Sequence, residues 1–355
     1  MISRDATYWQ QGQRRMAGLA RRRWWRWLAA PLLLAAVLAA ALAAAAAWWL
    51  QRPLPLAQPV VALTVERGMT PRAVAHGWVA AGVQTSPWLL WQWLRWSGDA
   101  PRIRAGSYEL RAGDSPRVLL ARMVAGDEVL EAVTLIEGWT FRQFRAALAQ
   151  APHLRQTIAA KTDAEVMAAL GAAGHPAEGW FFPDTYLYGR GTTDLVVLGR
   201  AHQAMRRHLA AAWDARAPGL PLRSPEEALI LASIVEKETG TEADRALIAG
   251  VFVNRLRIGM RLQTDPTVIY GLGEAFDGNL RRIHLQTDGP FNTYTRAGLP
   301  PTAIAMPGMA SLRAALNPAA TRALYFVARG DGSSVFSETY AEHDRAVDRY
   351  QRSRR

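Results

Sequence analysis

Hydrophobic and polar positions divide the 355-residue chain into stretches of different period. Residues 27–50, WLAAPLLLAAVLAAALAAAAAWWL, carry no charge. As a helix they span about 36 Å, enough to cross a bilayer core. Residues 51–58 (QRPLPLAQ) read as a short extended linker. Residues 59–66 alternate like a strand, and Gly68, Thr70 and Pro71 then open a helix over roughly 71–82. A tryptophan-rich helix follows around 87–96, with Trp88, Leu89, Trp91, Trp93 and Trp96 expected to face a core. Residues 104–110 predict a short strand, followed by a helix that starts near Ser115-Pro116 and ends at Gly126. A further strand from Val129 leads into Gly138-Trp139-Thr140 and a helix from Phe141 onward. Residues 178–186, EGWFFPDTY, are aromatic and turn-rich, unlike a hidden connector. Helices are predicted over 192–215, 225–240 and 242–256, then a hairpin of 324–328 and 333–337 around Arg329-Gly-Asp-Gly332, and a terminal helix from about Tyr340. Helices and short strands alternate without regular βαβ spacing, so the fold class is α+β.

Charge changes the picture at the N-terminus. Arg4, Arg14, Arg15, Arg21, Arg22, Arg23 and Arg26 precede the apolar span, and only Arg52 follows it closely. Trp24, Trp25 and Trp27 at one end and Trp48 and Trp49 at the other make two interfacial belts. This asymmetry predicts a cytoplasmic N-terminus, with residues 51–355 on the far side of the membrane. The alanine run offers Ala-x-Ala cleavage sites, but the apolar stretch is longer than a signal-peptide core and bulky tryptophans follow it; an uncleaved anchor is expected. The formal charge of +12 is largely this topology signal, because residues 1–52 hold eight arginines against Asp5 alone. The remainder is mixed, which argues against nucleic-acid binding. There is no cysteine, hence no disulfide, thiol nucleophile or zinc-thiolate site.

Residues 225–240 carry the sharpest chemical signal. Ser224-Pro225-Glu226-Glu227 reads as a capping box with proline at the first helical position, and Gly240 as a C-terminal stop. Two glutamates, Glu236 and Glu238, lie in the largely apolar body of this helix. At 100° per residue with Glu236 at zero, Leu229 falls near +20°, Ala232 near −40° and Glu238 about 160° away. The two cannot meet across one substrate bond, so the helix offers one catalytic carboxylate. Apolar neighbours predict a raised pKa for Glu236, as a general acid requires, whereas a structural role for both glutamates is the competing reading. Residues 259–266, with Gln263, Thr264 and Asp265, and the turn-dense segments around Phe291-Asn292-Thr293-Tyr294, 298–301 and 306–308 read as site loops. Amide, hydroxyl and aromatic groups of this kind suit a sugar polymer. The chain lacks G-x-S-x-G, a P-loop, a helix-opening G-x-G-x-x-G and H-E-x-x-H.

These residues carry a resemblance. ASIVEKET at 232–239, FVNRLRIGMRLQTDPTVIY at 252–270, NTY at 292–294, GLPP at 298–301, LYFVA at 324–328 and the 178–186 segment look like the endolytic murein transglycosylases of the YceG-like family. The 104–126 strand–helix pattern is similar to a LysM-type glycan-binding module. The implied plan is a basic tail (1–26), a transmembrane helix (27–50), a linker (51–58), a LysM-like module (59–130) and a YceG-like catalytic domain (131–355). The resemblance implies an inner-membrane lyase that cuts the MurNAc–GlcNAc bonds of nascent peptidoglycan in the periplasm, beside peptidoglycan polymerases (penicillin-binding proteins). It leaves 1,6-anhydroMurNAc ends and needs no metal or cofactor. It places the catalytic glutamate at Glu236, with Gln263, Asn292, Thr264 and Tyr294 holding the sugar. Two positions depart from the family pattern: Phe291 stands where tyrosine is usual, and Ser334 where histidine is usual. A lysozyme-type muramidase and a non-catalytic wall-binding protein are the alternatives. A second carboxylate facing the acid would favour the former, and an open, shallow surface the latter.

Overall fold

A computed structural model describes residues 30–238 and 241–352. The arginine-rich tail, Trp24, Trp25, Trp27 and Gly240 lie outside the described residues. Helix α1, Ala30–Gln51, is long and apolar enough to cross a membrane. At its end the Arg52 guanidinium lies 4.1 Å from the Trp48 ring centroid, a cation–π contact at a helix terminus.

The chain divides into two compact units, one ending at Val129 and one beginning at Leu130. The first unit runs β1 (Val60–Val65), α2 (Pro71–Ala81), α3 (Pro87–Trp96), β2 (Gly106–Arg111) and α4 (Pro116–Ala125). β1 and β2 pair antiparallel, from Val60 opposite Arg111 to Val65 opposite Gly106. Thr70 caps α2 by accepting the Ala73 N–H, Ser115 caps α4 by accepting that of Val118, and a proline sits in the first turn of each of these helices. The tryptophans of α3 divide: Leu90 and Leu94 are its buried residues, Trp91 and Trp93 pack half-buried against the core, and Trp88 and Trp96 are 56% and 80% exposed. The ten-residue helix buries only one stripe, and the leucines occupy it four residues apart. Trp78 of α2, with Val74, Tyr108, Leu110, Leu119 and Met123, completes that core. Each fully buried large side chain contributes roughly 1.5–3 kcal/mol.

The second unit begins with β3 (Leu130–Thr134), α5 (Phe141–Gln150) and α6 (Asp163–Ala169), then β4 (Thr185–Gly189), which pairs antiparallel with β3. α7 (Asp194–Asp214), α8 (Pro225–Glu238) and α9 (Glu242–Arg257) follow. Short helices α10 (Asp265–Leu272), α11 (Arg282–Gln286) and α12 (Met309–Leu316) come next, then the β5 (Tyr325–Ala328) and β6 (Ser334–Ser337) hairpin and α13 (Tyr340–Val347). The mixed α+β class expected from the sequence is the class observed. Pro266 opens α10, so the site loop expected over 259–266 ends in the first turn of a helix. The 178–186 segment is no exposed loop either: Trp180 and Phe181 are buried, and Phe181 stacks on Phe141 at 4.8 Å. Its turn residues bring aromatic rings inward.

α8 is the central helix of this unit. Leu229, Leu231, Ala232, Ile234 and Val235 are all buried, and it packs against α7, α9, α10 and α12. Its capping box is offset by one residue. The Ser224 hydroxyl accepts the Glu227 N–H as expected, but Glu227 returns to the Arg223 N–H at 2.7 Å and to the Arg223 guanidinium.

Candidate active site

The last turn of α8 sends its two glutamates to different surroundings. Glu236 is half-buried and accepts the Gly308 N–H at 2.9 Å. That contact ends a seam along α8. The Ile304 N–H donates to the Ser233 hydroxyl (3.0 Å), and Met306 exchanges backbone hydrogen bonds with Gly138 (2.8 Å) and Trp139 (2.7 Å). The Lys237 ammonium donates to the Gly138 carbonyl (3.2 Å). Gly308 caps α12, so the Glu236 carboxylate faces the positive end of that helix. A second carboxylate, Glu137, stands close enough for its charge to be felt: burial and then the Glu236 charge push the Glu137 pKa up. Glu236 is therefore built into a backbone seam, next to another acid.

Glu238 has the other environment. It is half-buried on the wall of a cavity of about 550 Å³, which Arg255, Gln263, Asp265, Tyr294 and Tyr325 also line. Its carboxylate accepts the Thr264 hydroxyl. Burial pushes its pKa up, opposed by the Thr264 hydrogen bond and reinforced by the nearby Asp265 charge, with Arg255 opposing. These are the surroundings that apolar spacing had led us to expect for Glu236. The helical wheel separated the two glutamates correctly but could not say which side would meet the site loops.

Three of the four residues expected to hold sugar gather at Glu238. Thr264 is buried, with its N–H on the Thr293 hydroxyl (3.0 Å) and its carbonyl accepting from Thr267 (2.8 Å), which aims its own hydroxyl at Glu238. Gln263 is held at φ 48°, an unusual backbone conformation for a non-glycine residue, by its N–H on the Thr293 carbonyl; its side chain is exposed at the cavity. The Tyr294 hydroxyl donates to Asp265 at 2.6 Å, and burial raises its pKa. Asn292 differs. Its amide nitrogen donates to the carbonyls of His284, Leu285 and Thr287, and its oxygen accepts the Tyr294 N–H. That capacity is spent on backbone, so Asn292 sets the position of Thr293 and Tyr294 from below.

Sequence reasoning did not single out Arg255, Tyr325 or His343. Arg255 is buried, donates to the Leu324 and Leu262 carbonyls at 2.7 and 2.6 Å, and lies 5.4 Å from the Tyr325 ring centroid. His343 stacks on the same ring at 5.2 Å. An arginine between apolar Val253 and Leu256 on α9 was the available signal. The two positions that depart from the family pattern have ordinary roles: Phe291 packs edge-on against Tyr270, and the Ser334 N–H donates to Asp244.

A further acid lies deeper. Glu178, 8% exposed, accepts the Phe141 N–H with both oxygens and the Tyr270 hydroxyl at 3.2 Å. Burial pushes its pKa up to about 7. No cluster of three or more metal-ligating side chains occurs among the described residues.

The chain is similar to several known proteins. An endolytic murein transglycosylase of Bacillus subtilis is 33% identical over 268 residues, covering 71% of this chain and 74% of that protein. One from Streptococcus pneumoniae is 28% identical over 280 residues, 69% of this chain and 50% of the relative. A solved YceG-like protein of Listeria monocytogenes superposes with a TM-score of 0.52 at 28% identity, covering 81% of this chain and 99% of that one. Residues 63–349, which include α8 and every wall residue of the Glu238 cavity named above, match the YceG-like family. The chain belongs to the YceG-like family.

Proposed function

We propose that this protein is a peptidoglycan lytic transglycosylase, cutting MurNAc–GlcNAc bonds within glycan strands, and that its acid is Glu238. The observation that carries the reading is one desolvated carboxylate on a cavity wall among amide, hydroxyl and aromatic groups. In its neutral form Glu238 protonates the oxygen that leaves with GlcNAc as the bond to MurNAc C1 breaks. The resulting carboxylate accepts the proton of the MurNAc C6 hydroxyl as O6 closes on C1. Glu238 ends as it began, no water is consumed, and a 1,6-anhydroMurNAc end remains. One residue serves as acid and then base, whereas a hydrolase needs a second carboxylate. Asp265 is the nearby carboxylate, and it is occupied by the Tyr294 hydroxyl. Gln263, Thr264 and Tyr294 bound the sugar, and Asn292 supports them. Glu236, to which the resemblance assigned the acid, instead fastens α8 to Gly308.

α1 and the arginines before it support a single-pass anchor in the inner membrane, with both folded units in the periplasm beside peptidoglycan polymerases. The first unit, whose β1–α2–α3–β2 order resembles a LysM module, binds glycan. A groove of about 470 Å³ between residues 65–74 and 100–105 supports that role.

Digestion of purified strands in ¹⁸O-labelled water, followed by mass analysis, tests the reaction. Anhydro ends without label are expected. Label at the new reducing end would instead indicate a muramidase, and no cleavage at all a binding protein.

A further inference from the structure

A second cavity, of about 310 Å³, opens in the same unit between residues 171–175, Trp180, α7 and the first turn of α8. It shares no wall residue with the cavity at Glu238. Two opposite charges stand on its wall, Arg206 of α7 and Glu226 of α8. Both are exposed, and among the described residues neither side chain has an ion pair or a hydrogen bond. Trp180 and His202, 9% and 5% exposed, line it more deeply. The His202 ring packs against Trp180 (6.2 Å) and Phe181 (5.8 Å), yet neither of its nitrogens has a protein hydrogen-bond partner. Burial, with Arg206 and His175 nearby, pushes its pKa down, so the imidazole is neutral and offers one donor and one acceptor. Neither nitrogen is sealed from solvent.

The wall chemistry narrows the ligand. A simple anion would meet Glu226, a simple cation would meet Arg206, and a neutral sugar would leave both unpaired. The volume lies at the small end of ligand pockets, suited to one amino-acid head and not to a glycan strand. We propose that this cavity is a second ligand site that takes a zwitterionic amino-acid head, with the carboxylate on Arg206, the ammonium on Glu226, and His202 and Trp180 receiving the rest. Its physiological source rests on the peptidoglycan reading above: the free end of a diamino acid in the peptide attached to the strand. The site would then grip a strand by its peptide while the Glu238 cavity holds the sugar.

Calorimetry on the detergent-solubilised full chain tests this with four probes. They are a muropeptide with a free diamino-acid end, the same muropeptide amidated at that carboxylate, the same acylated at that amine, and the free diamino acid. The unmodified muropeptide is expected to bind, and either modification, Arg206→Gln or Glu226→Gln, to weaken it about tenfold or more. The free diamino acid should compete. Turnover of peptide-free strands should be unchanged in both variants. Equal affinity for modified and unmodified muropeptides, or full affinity in both variants, overturns the site. Binding of the free diamino acid alone, without preference for the muropeptide, overturns its assignment to the strand. Failure of the wild type to cut peptide-free strands would count against the glycan reading and leave the binding result to decide this one.

Discussion

A carboxyl group serves as an acid near neutral pH when burial disfavours its anion without sealing it from substrate. Glu238 meets both conditions, because it is half-buried yet lines a cavity. The Thr264 hydroxyl tunes it by hydrogen-bonding the ionised form, which holds its raised pKa in check. Thr264→Val keeps the shape and removes that donor, so the pKa should rise further. The reaction needs Glu238 protonated at the start, so the alkaline limb of the kcat–pH profile should move to higher pH. A limb that stays in place, or moves lower, would contradict the role given to Thr264. The sequence revealed a helix with two glutamates on different sides, and hence a single usable acid. Which glutamate it is depended on Thr264 and Gly308, residues 26 and 72 positions from their respective partners, and a wheel drawn on one helix contains neither.

At the scale of elements, the 178–186 segment holds α5 and α10 to the core around α8. Glu178 does this with one carboxyl group, accepting the first N–H of α5 and the hydroxyl of Tyr270 on α10. Its pKa of about 7 in the folded chain stands above an ordinary value of 4.5. Below that ordinary value the carboxyl is neutral whether the chain is folded or not, and its stabilising contribution is complete. As pH rises towards 7 the unfolded chain ionises first, so stability falls, and the loss levels off above the folded pKa at about 3 kcal/mol. Glu178→Gln should remove this slope, so that the melting temperatures of variant and wild type diverge between pH 5 and 8. Parallel curves would mean that Glu178 ionises freely in the fold. The inward role of this segment was not legible, because glycine, proline and aspartate mark a turn without saying which way its aromatic side chains point. The short helices α10 and α11 were missed for a related reason: five to eight residues are too few for a helical period to show.

On the scale of the whole molecule, the proposed function gives membrane, glycan and chemistry to successive parts of one chain. The apolar span, the strand–helix alternation of the first unit and the β5–β6 hairpin were all readable from period and turn residues. The site was legible only in part: Gln263, Thr264 and Tyr294 stood out in their loops, but its other walls come from α9, the hairpin and α13, which meet only in the fold. The anchor makes a prediction of its own: the mature protein in membranes should retain residues 1–26, and protease added to the periplasmic face should reach sites beyond about residue 53. A mature N-terminus after the alanine run would contradict it. The central claim, that Glu238 supplies the proton, is tested most directly by comparing turnover of glycan strands by two conservative variants. Glu238→Gln should fold and lose about a hundredfold or more in kcat, while Glu236→Gln, still able to accept the Gly308 N–H, should stay within a few-fold of wild type. An active Glu238→Gln enzyme beside an inactive, folded Glu236→Gln enzyme would return the acid to Glu236.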